Sequence, residues 1–471
     1  MKLEVSKLFL INCLKKWNKG GIFVEDKIKP EDKWIKPDDP LILERLEWFK
    51  DLKLGLMIHW GPYSQLGIVE SWALSDADAE WARKGLDWEK DPAEFKRQYF
   101  ELNKTFNPIR FQPEKWAELA QEGGFKYLIF TTKHHDGFCM WDTKYTDYKI
   151  TSPECPFHKH KYADICKNLF NAFRERGLAI AAYFSKADWH SPYYWAKGMK
   201  QSNFTNRGPT YNPLEYPWLW EEFVKFTHNQ IVELVSKYGR IDILWLDAGW
   251  VCPQNNQDIK MDELVQKIRK IQPWILVVDR WVGGPHENYL TPEQTIPERP
   301  ILVPWESCIT MGTSFSYCYD DNYKSVRELV LILIEVVAKG GNLALNVGAQ
   351  PDGRLPTPAI LRMKELGKWL KKYGEAIYST RPCEPYFTGE YAFTKKDDCI
   401  YCFKLYKSVQ IEEYMLIPFT GEKIVSVELI GHKENLYFEQ TDKGLKIKMS
   451  ADAYDNLDEL YAHVFKLKYK R

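Results

Sequence analysis

Residues 240–250, RIDILWLDAGW, carry an apolar run that ends on Asp247 and passes into a small, flexible Ala248-Gly249 pair and then Trp250. A carboxylate where a buried strand meets a loop is placed for chemistry. Further groups of the same kind recur along the chain. His59 and Trp60 close the run LGLMIHW, and Lys133, His134, His135 and Asp136 follow KYLIFTT. Tyr183 lies near the end of LAIAAYF, Asp279 and Arg280 end ILVVDR, Trp305 and Glu306 end ILVPWE, and Asn346 is late in LALNV. Two carboxyl groups, neutral imidazoles that both give and accept hydrogen bonds, and aromatic walls together would equip a site that cleaves sugars.

The elements that must position these groups follow one grammar from about residue 40. An amphipathic helix, a glycine, a short apolar strand and a polar loop succeed one another. The first helix opens in DDPLILERLEWFKDL, with Asp39 as N-cap and Pro40 in the first turn. Further helices are expected over 113–124, 161–177, 218–239, 262–273, 325–341 and 357–378. The strands between them are continuous apolar runs, the pattern of a parallel sheet covered on both faces. Seven such strands favour a closed or nearly closed α/β barrel of (β/α)8 type. The stretch 280–300 lacks an obvious helix, so the barrel is expected to be irregular. Near Pro382 the pattern changes to short alternating runs, among them CIYCFKLYK and HVFKLKYK, which read as an antiparallel β-sandwich. The expected organisation is therefore an N-terminal extension over 1–40, a catalytic barrel over 41–382 and a β-sandwich over 383–471.

Composition excludes several classes. The chain has 471 residues with 65 basic and 65 acidic side chains, so no net field draws it to nucleic acid or anionic membrane. The apolar run LFLINCL at 8–14 is too short to span a bilayer and lacks a cleavage site after it. The expectation is a cytoplasmic protein with no membrane partner. The 10 cysteines show no paired spacing and read as buried free thiols. HHD at 134–136, or Cys155 with His158 and His160, could suggest a metal, but neither has a four-ligand spacing. No cofactor is expected.

The blocks HWGPYS, KHHDGFCMWDTKYTDY, YFSKADWH, DILWLDAGW, PWESCIT and GGNLALNVGAQPDG resemble, in order, those of the α-L-fucosidases of glycoside hydrolase family twenty-nine. The resemblance runs from about residue 45 to 380. It implies an irregular barrel followed by a β-sandwich, and hydrolysis of terminal α-linked L-fucose from a fucosylated glycan, with retention and without metal. Asp247, taken alone, could equally be a loop-turn or N-cap residue; the resemblance makes it the nucleophile. Glu306 becomes the acid/base, which requires a raised pKa, with Glu287 and Glu70 as rivals. For Glu287 and Glu70 the plain alternative is a hydrogen bond to loop backbone. The resemblance further implies substrate contacts at His59, His134, His135, Tyr183 and Arg280, and an apolar wall from Trp72, with Trp305 beside the acid/base and Glu70 supporting. Three departures stand out: VESW where many relatives have adjacent Glu and Trp, Ala349-Gln350 in place of Gly-Pro, and FSYCYDD at 315–321 in place of SWGY, which removes a Trp near the site and is expected to reshape the leaving-group side. Competing readings are an α-L-galactosidase-type hydrolase and a fucose-binding protein without turnover. A homo-oligomer is left open.

Overall fold

The computed structural model describes residues 30–75, 82, 91–199, 207–406, 411–432, 436–454 and 461–470; the run at 8–14 lies outside them. The barrel region is built from α1 (Pro40–Leu52), β1 (Leu54–His59), α2 (Pro92–Phe100), α3 (Pro113–Glu122), β2 (Tyr127–Lys133), α4 (Ile165–Glu175), β3 (Ala179–Ser185), α5 (Pro217–Lys237), β4 (Ile243–Asp247), α6 (Met261–Ile271), β5 (Leu276–Asp279), β6 (Glu306–Thr310), α7 (Val326–Ala338), β7 (Asn342–Gly348) and α8 (Thr357–Tyr373). The seven strands pair in the order β5-β4-β3-β2-β1-β7-β6, all parallel.

Both faces of these strands are buried, which explains their unbroken apolar runs. Leu56, Ile58, Leu128, Phe130, Ile180, Ala182, Leu244 and Leu246 join the core beneath the surrounding helices. The alternate residues Met57, Ile129, Ala181, Tyr183, Ile243, Trp245 and Val278 fill the barrel interior. Helix α1 starts where the Asp39 side chain accepts the Leu41 N–H at 2.9 Å. Its Ile42, Leu46 and Phe49 belong to the same interior cluster. Phe49 stacks on Tyr289 at 4.2 Å between ring centroids, so α1 plugs the amino-terminal end. That leaves the opposite, carboxyl-terminal end for a site.

The sheet's two edges, β5 and β6, are joined by an irregular eighth segment over 286–294. The Asp279 N–H reaches the His286 carbonyl at 2.9 Å and the Asn288 N–H reaches that of Val277 at 2.9 Å. On the other side Glu306 donates to Leu290 at 2.8 Å, Cys308 to Pro292 at 3.2 Å, and Gln294 to Cys308 at 2.9 Å. This segment is the missing eighth stave, and it explains why 280–300 shows no helix.

The strand expected over ILVPWE at 301–306 is displaced. Pairing with β7 begins at Glu306, opposite Asn342, and runs through ESCIT. Pro304 has no N–H to contribute to a ladder, so pairing starts after it. Glu306 therefore opens its strand instead of ending it.

The antiparallel region starts at Arg381. Strands β8 (Arg381–Phe387), β9 (Tyr391–Lys396), β10 (Cys399–Leu405), β11 (Tyr414–Ile417), β12 (Ile424–Leu429), β13 (Phe438–Thr441), β14 (Gly444–Lys448) and β15 (Ala462–Tyr469) form a five-stranded sheet, β12-β15-β10-β9-β8, and a three-stranded one, β11-β14-β13. Alternation along β10 decides the packing. Tyr401 and Phe403 join the core shared with the barrel helices, and Ile400 and Cys402 join the core that also holds Met415, Ile417 and Leu445 of the smaller sheet. No helix among the described residues is long and apolar enough to cross a membrane.

Candidate active site

Asp247 is the last residue of β4, paired with Ser185 of β3, and its side chain follows Ile243 and Trp245 on the interior-facing parity. Both carboxylate oxygens are held. The Tyr183 hydroxyl donates to Oδ2 at 2.5 Å, and the Arg280 guanidinium donates to Oδ1 at 3.0 Å. Burial pushes the carboxyl up, but Arg280, His135 and the Tyr183 bond outweigh it and hold Asp247 well below the usual carboxylate range. The arrangement favours an ionised carboxylate whose two oxygens are fixed in direction. Beyond it the chain turns sharply: Ala248 has φ 69°. A Cβ on Gly249 would meet the Arg280 carbonyl at 2.9 Å, so only glycine lets the two strand ends approach this closely.

Three imidazoles surround the carboxylate. The His59 Nδ1–H donates to the Asn346 side-chain oxygen at 2.7 Å, whose amide is oriented by its own donation to the Phe315 carbonyl at 2.6 Å. His135 Nδ1 lies 2.6 Å from the Ser185 hydroxyl, which itself donates to Ala187 at 2.7 Å. These partners assign the ring proton to Nδ1 in both, leaving each Nε2 as a lone-pair acceptor. Burial lowers both rings to a pKa of about 4 and lowers His134 well below its ordinary value. His134 Nδ1 pairs with the Ser71 hydroxyl at 2.6 Å. His135 Nε2 stands 3.8 Å from Asp247 Oδ2, two acceptors side by side. Among the described residues, His134, His135 and Asp247 also form a cluster with metal-like spacing. The fixed charge of Arg280 against Asp247 disfavours a second cation there.

An aromatic wall rises on one side. Trp72 lies 5.1 Å from His135, 5.8 Å from Trp250 and 5.9 Å from Trp189, measured between ring centroids. Behind the strands, buried Lys186 donates to Asp279 at 2.5 Å and to the Val251 carbonyl at 2.9 Å, tying the loop after Asp247 to the end of β5.

The second carboxyl is not where the sequence placed it. Glu306 is 0% exposed. It sits at the amino end of β6 and accepts from the Tyr127 hydroxyl at 2.5 Å, the Trp245 indole at 3.1 Å and the Tyr289 hydroxyl at 3.4 Å. Burial raises its pKa to about 7, as an acid/base would need, yet no leaving group can reach it. Glu287 is engaged by backbone, accepting from Trp281 at 3.1 Å and Gly283 at 2.9 Å. Trp305 is also core: its indole donates to Ile301 at 3.2 Å and its ring packs on Gly341, on the face away from the barrel interior.

Two other carboxyls do converge on Asp247. Glu293, on the eighth segment, binds the second nitrogen of the same Arg280 guanidinium that holds Asp247. Its side chain is 34% exposed. Glu70 is 2% exposed, with φ 34° and one oxygen lacking any hydrogen-bond partner. Its pKa is raised well above normal by burial first, then by Glu293 and Asp247. The loop of the FSYCYDD departure holds it: the Ser316 hydroxyl accepts the Glu70 N–H at 3.2 Å and donates to the Ile68 carbonyl.

A family model described as Alpha-L-fucosidase matches residues 29–375. The chain belongs to this family. It is 28% identical over 404 residues to plasma alpha-L-fucosidase of Rattus norvegicus, covering 82% of this chain and 83% of that one. It is 26% identical over 422 residues to tissue alpha-L-fucosidase of Homo sapiens, covering 85% and 84%. The structure of Thermotoga maritima alpha-fucosidase in complex with fucose superposes with a TM-score of 0.72 at 30% identity, covering 89% of this chain and 96% of that one. The expected irregular barrel with a following antiparallel region is thus the fold of a fucosidase. Glu293 was not singled out in the sequence. Its signal was available only through the eighth stave, since TPEQT at 291–295 has no strand-like pattern.

Proposed function

We propose that this chain is a retaining exo-α-L-fucosidase in which Asp247 attacks the anomeric carbon and Glu293 carries the proton. The observation that supports the pair is the single Arg280 guanidinium gripping both carboxylates. A shared clamp keeps them close, as suits a retaining pair, whose carboxyls lie about 5–5.5 Å apart. Glu293 has the solvent access a proton carrier needs to release the leaving group and admit water. Glu70, buried behind it with its carboxyl pKa raised, is the second choice. His59 and His135 accept from sugar hydroxyls, His134 adds a further contact, and Trp72 covers the apolar face around the fucose methyl. Acting on a terminal fucosyl unit of a glycan, Asp247 forms a glycosyl ester as Glu293 protonates the departing oxygen. Glu293 then takes a proton from water, which breaks the ester and restores the configuration.

The test is the anomeric form of fucose first released from a nitrophenyl α-L-fucoside, read by NMR, together with mass spectrometry of the chain trapped by a 2-fluoro-fucosyl donor. The α-product and a label on Asp247 are expected. First release of the β-anomer, or a label elsewhere, rejects the reading. Binding without any release would favour the lectin-like alternative, and preference for the galacto analogue the α-L-galactosidase. The nine described cysteines are all free, which supports a reducing, cytoplasmic setting.

A further inference from the structure

Trp281 follows the arginine that clamps both carboxylates, and it is held in an unusual way. Its backbone takes φ 63°, a left-handed conformation that a bulky residue rarely adopts. Both oxygens of buried Glu287 are spent on fixing this turn, accepting from the Trp281 and Gly283 N–H groups. The indole N–H donates to the Thr291 carbonyl at 3.2 Å, two residues before Glu293. One ring face lies against the Arg280 guanidinium, 4.0 Å from the ring centroid. The residue is nevertheless 62% exposed.

A single exposed tryptophan is ordinary on a protein surface. This one is restrained by an indole hydrogen bond, a cation beneath one face and a strained turn, and its other face is left to solvent. Those restraints stop the ring from folding away. They also fix its side of the site: tethered to Thr291, it flanks Glu293, where the leaving group departs. Trp72 and Trp250 stand on the His135 side and wall the sugar being cleaved.

We propose that the outer face of Trp281 is a stacking platform for a pyranose leaving group attached directly to the fucosyl unit, an inference that rests on the fucosidase reading. A pyranose presents a face of axial C–H groups that packs flat on an indole. Such a contact discriminates glycan substrates from small alkyl or halide fucosides.

The experiment compares wild type, Trp281→Ala and Trp281→Phe on α-L-fucosyl fluoride, which has no sugar leaving group, and on an α-L-fucosyl-galactose disaccharide. The readout is the ratio of kcat/KM for disaccharide to that for fluoride. Damage to the Arg280–Glu293 pair also lowers this ratio, because the disaccharide needs the proton and the fluoride does not. Such damage slows methyl α-L-fucoside equally, a substrate that needs the proton and offers no ring to stack. Loss of stacking spares methyl α-L-fucoside, and an equal loss on it overturns the platform. Loss of stacking should lower the ratio about five- to ten-fold in Trp281→Ala, mainly through KM, while Trp281→Phe keeps most of it. An unchanged ratio in Trp281→Ala overturns the platform. Should that variant not fold, Trp281→Leu removes the flat ring while keeping bulk, and is read by the same ratio. Wild type inert toward the fluoride would instead reject the fucosidase reading.

Discussion

The Arg280 guanidinium donates to Asp247 at 3.0 Å and offers its other terminal nitrogen to Glu293. One cation thus favours the ionised form of Asp247 and holds the two carboxylates beside each other. Its guanidinium is fixed from below by Trp245, whose ring lies 5.1 Å away. Removing this side chain takes away the largest of the interactions that offset the effect of burial on Asp247.

Arg280→Met is therefore expected to lower kcat/KM by roughly 100-fold or more and to move the acid limb of the pH–rate profile to higher pH. The sign follows from the shift: with its cation gone, the Asp247 carboxyl loses the main interaction that favours its ionised form. Asp247→Ala should abolish turnover with little loss of fold. A pH profile of Arg280→Met that keeps its acid limb in place would remove Arg280 from this role.

The two remaining glutamates separate by leaving group. Glu293→Ala should slow substrates with poor leaving groups by about 100- to 10,000-fold, spare activated aryl fucosides in the first step, and recover with azide. Burial raises the Glu70 carboxyl well above its usual range and favours the neutral form, so Glu70→Gln, which reproduces that form, should keep activity within a few-fold. Azide rescue of Glu70→Ala and not of Glu293→Ala would exchange the two assignments.

Much of this was legible in the chain because a strand buried on both faces must be apolar throughout, and because the residue ending it is conspicuous when polar. Asp247, His59 and Tyr183 stood out that way, and the structure brings them together. Glu306 misled for a physical reason. ILVPWE looks as apolar as a strand, but Pro304 cannot donate to the ladder, and moving the strand start by a few residues carries Glu306 from the open end to the plugged one. Glu293 was invisible because its segment reaches its neighbours through isolated bridges and lacks the periodicity of an element. The buried Lys133 also gave no hint of its partner, since Asp188 lies 55 residues away.

That pair gives a stability prediction. Lys133 and Asp188 meet at 2.9 Å with both side chains almost wholly buried, and Gln230 accepts a further bond from the lysine at 3.0 Å. Breaking such a pair leaves a charge with no water and no partner. Asp188→Ala should cost about 3–5 kcal/mol, measured by chemical denaturation. A loss within the range of an ordinary surface substitution would mean that water or another group replaces the aspartate.

Glu306 now has a different expectation. Burial raises its folded pKa to about 7 from the ordinary 4.5 of a glutamate, so between those limits the folded chain holds a proton that the unfolded chain has lost. By linkage this group makes the protein more stable at the acid end of the window and progressively less so as pH rises through about 7. Glu306→Gln should flatten that portion of a Tm–pH curve. His59 and His135, lowered to about 4 by burial, contribute the opposite slope, adding stability as pH rises from about 4 to 6.5, so the comparison must be made between variant and wild type. Glu306 also accepts the Trp245 indole, and Trp245 stacks 5.2 Å beneath Tyr183, which donates to Asp247. Glu306→Leu should therefore lower kcat on fluoride and disaccharide alike, with KM little changed. A selective loss on poor leaving groups, restored by azide, would return Glu306 to the role of proton donor.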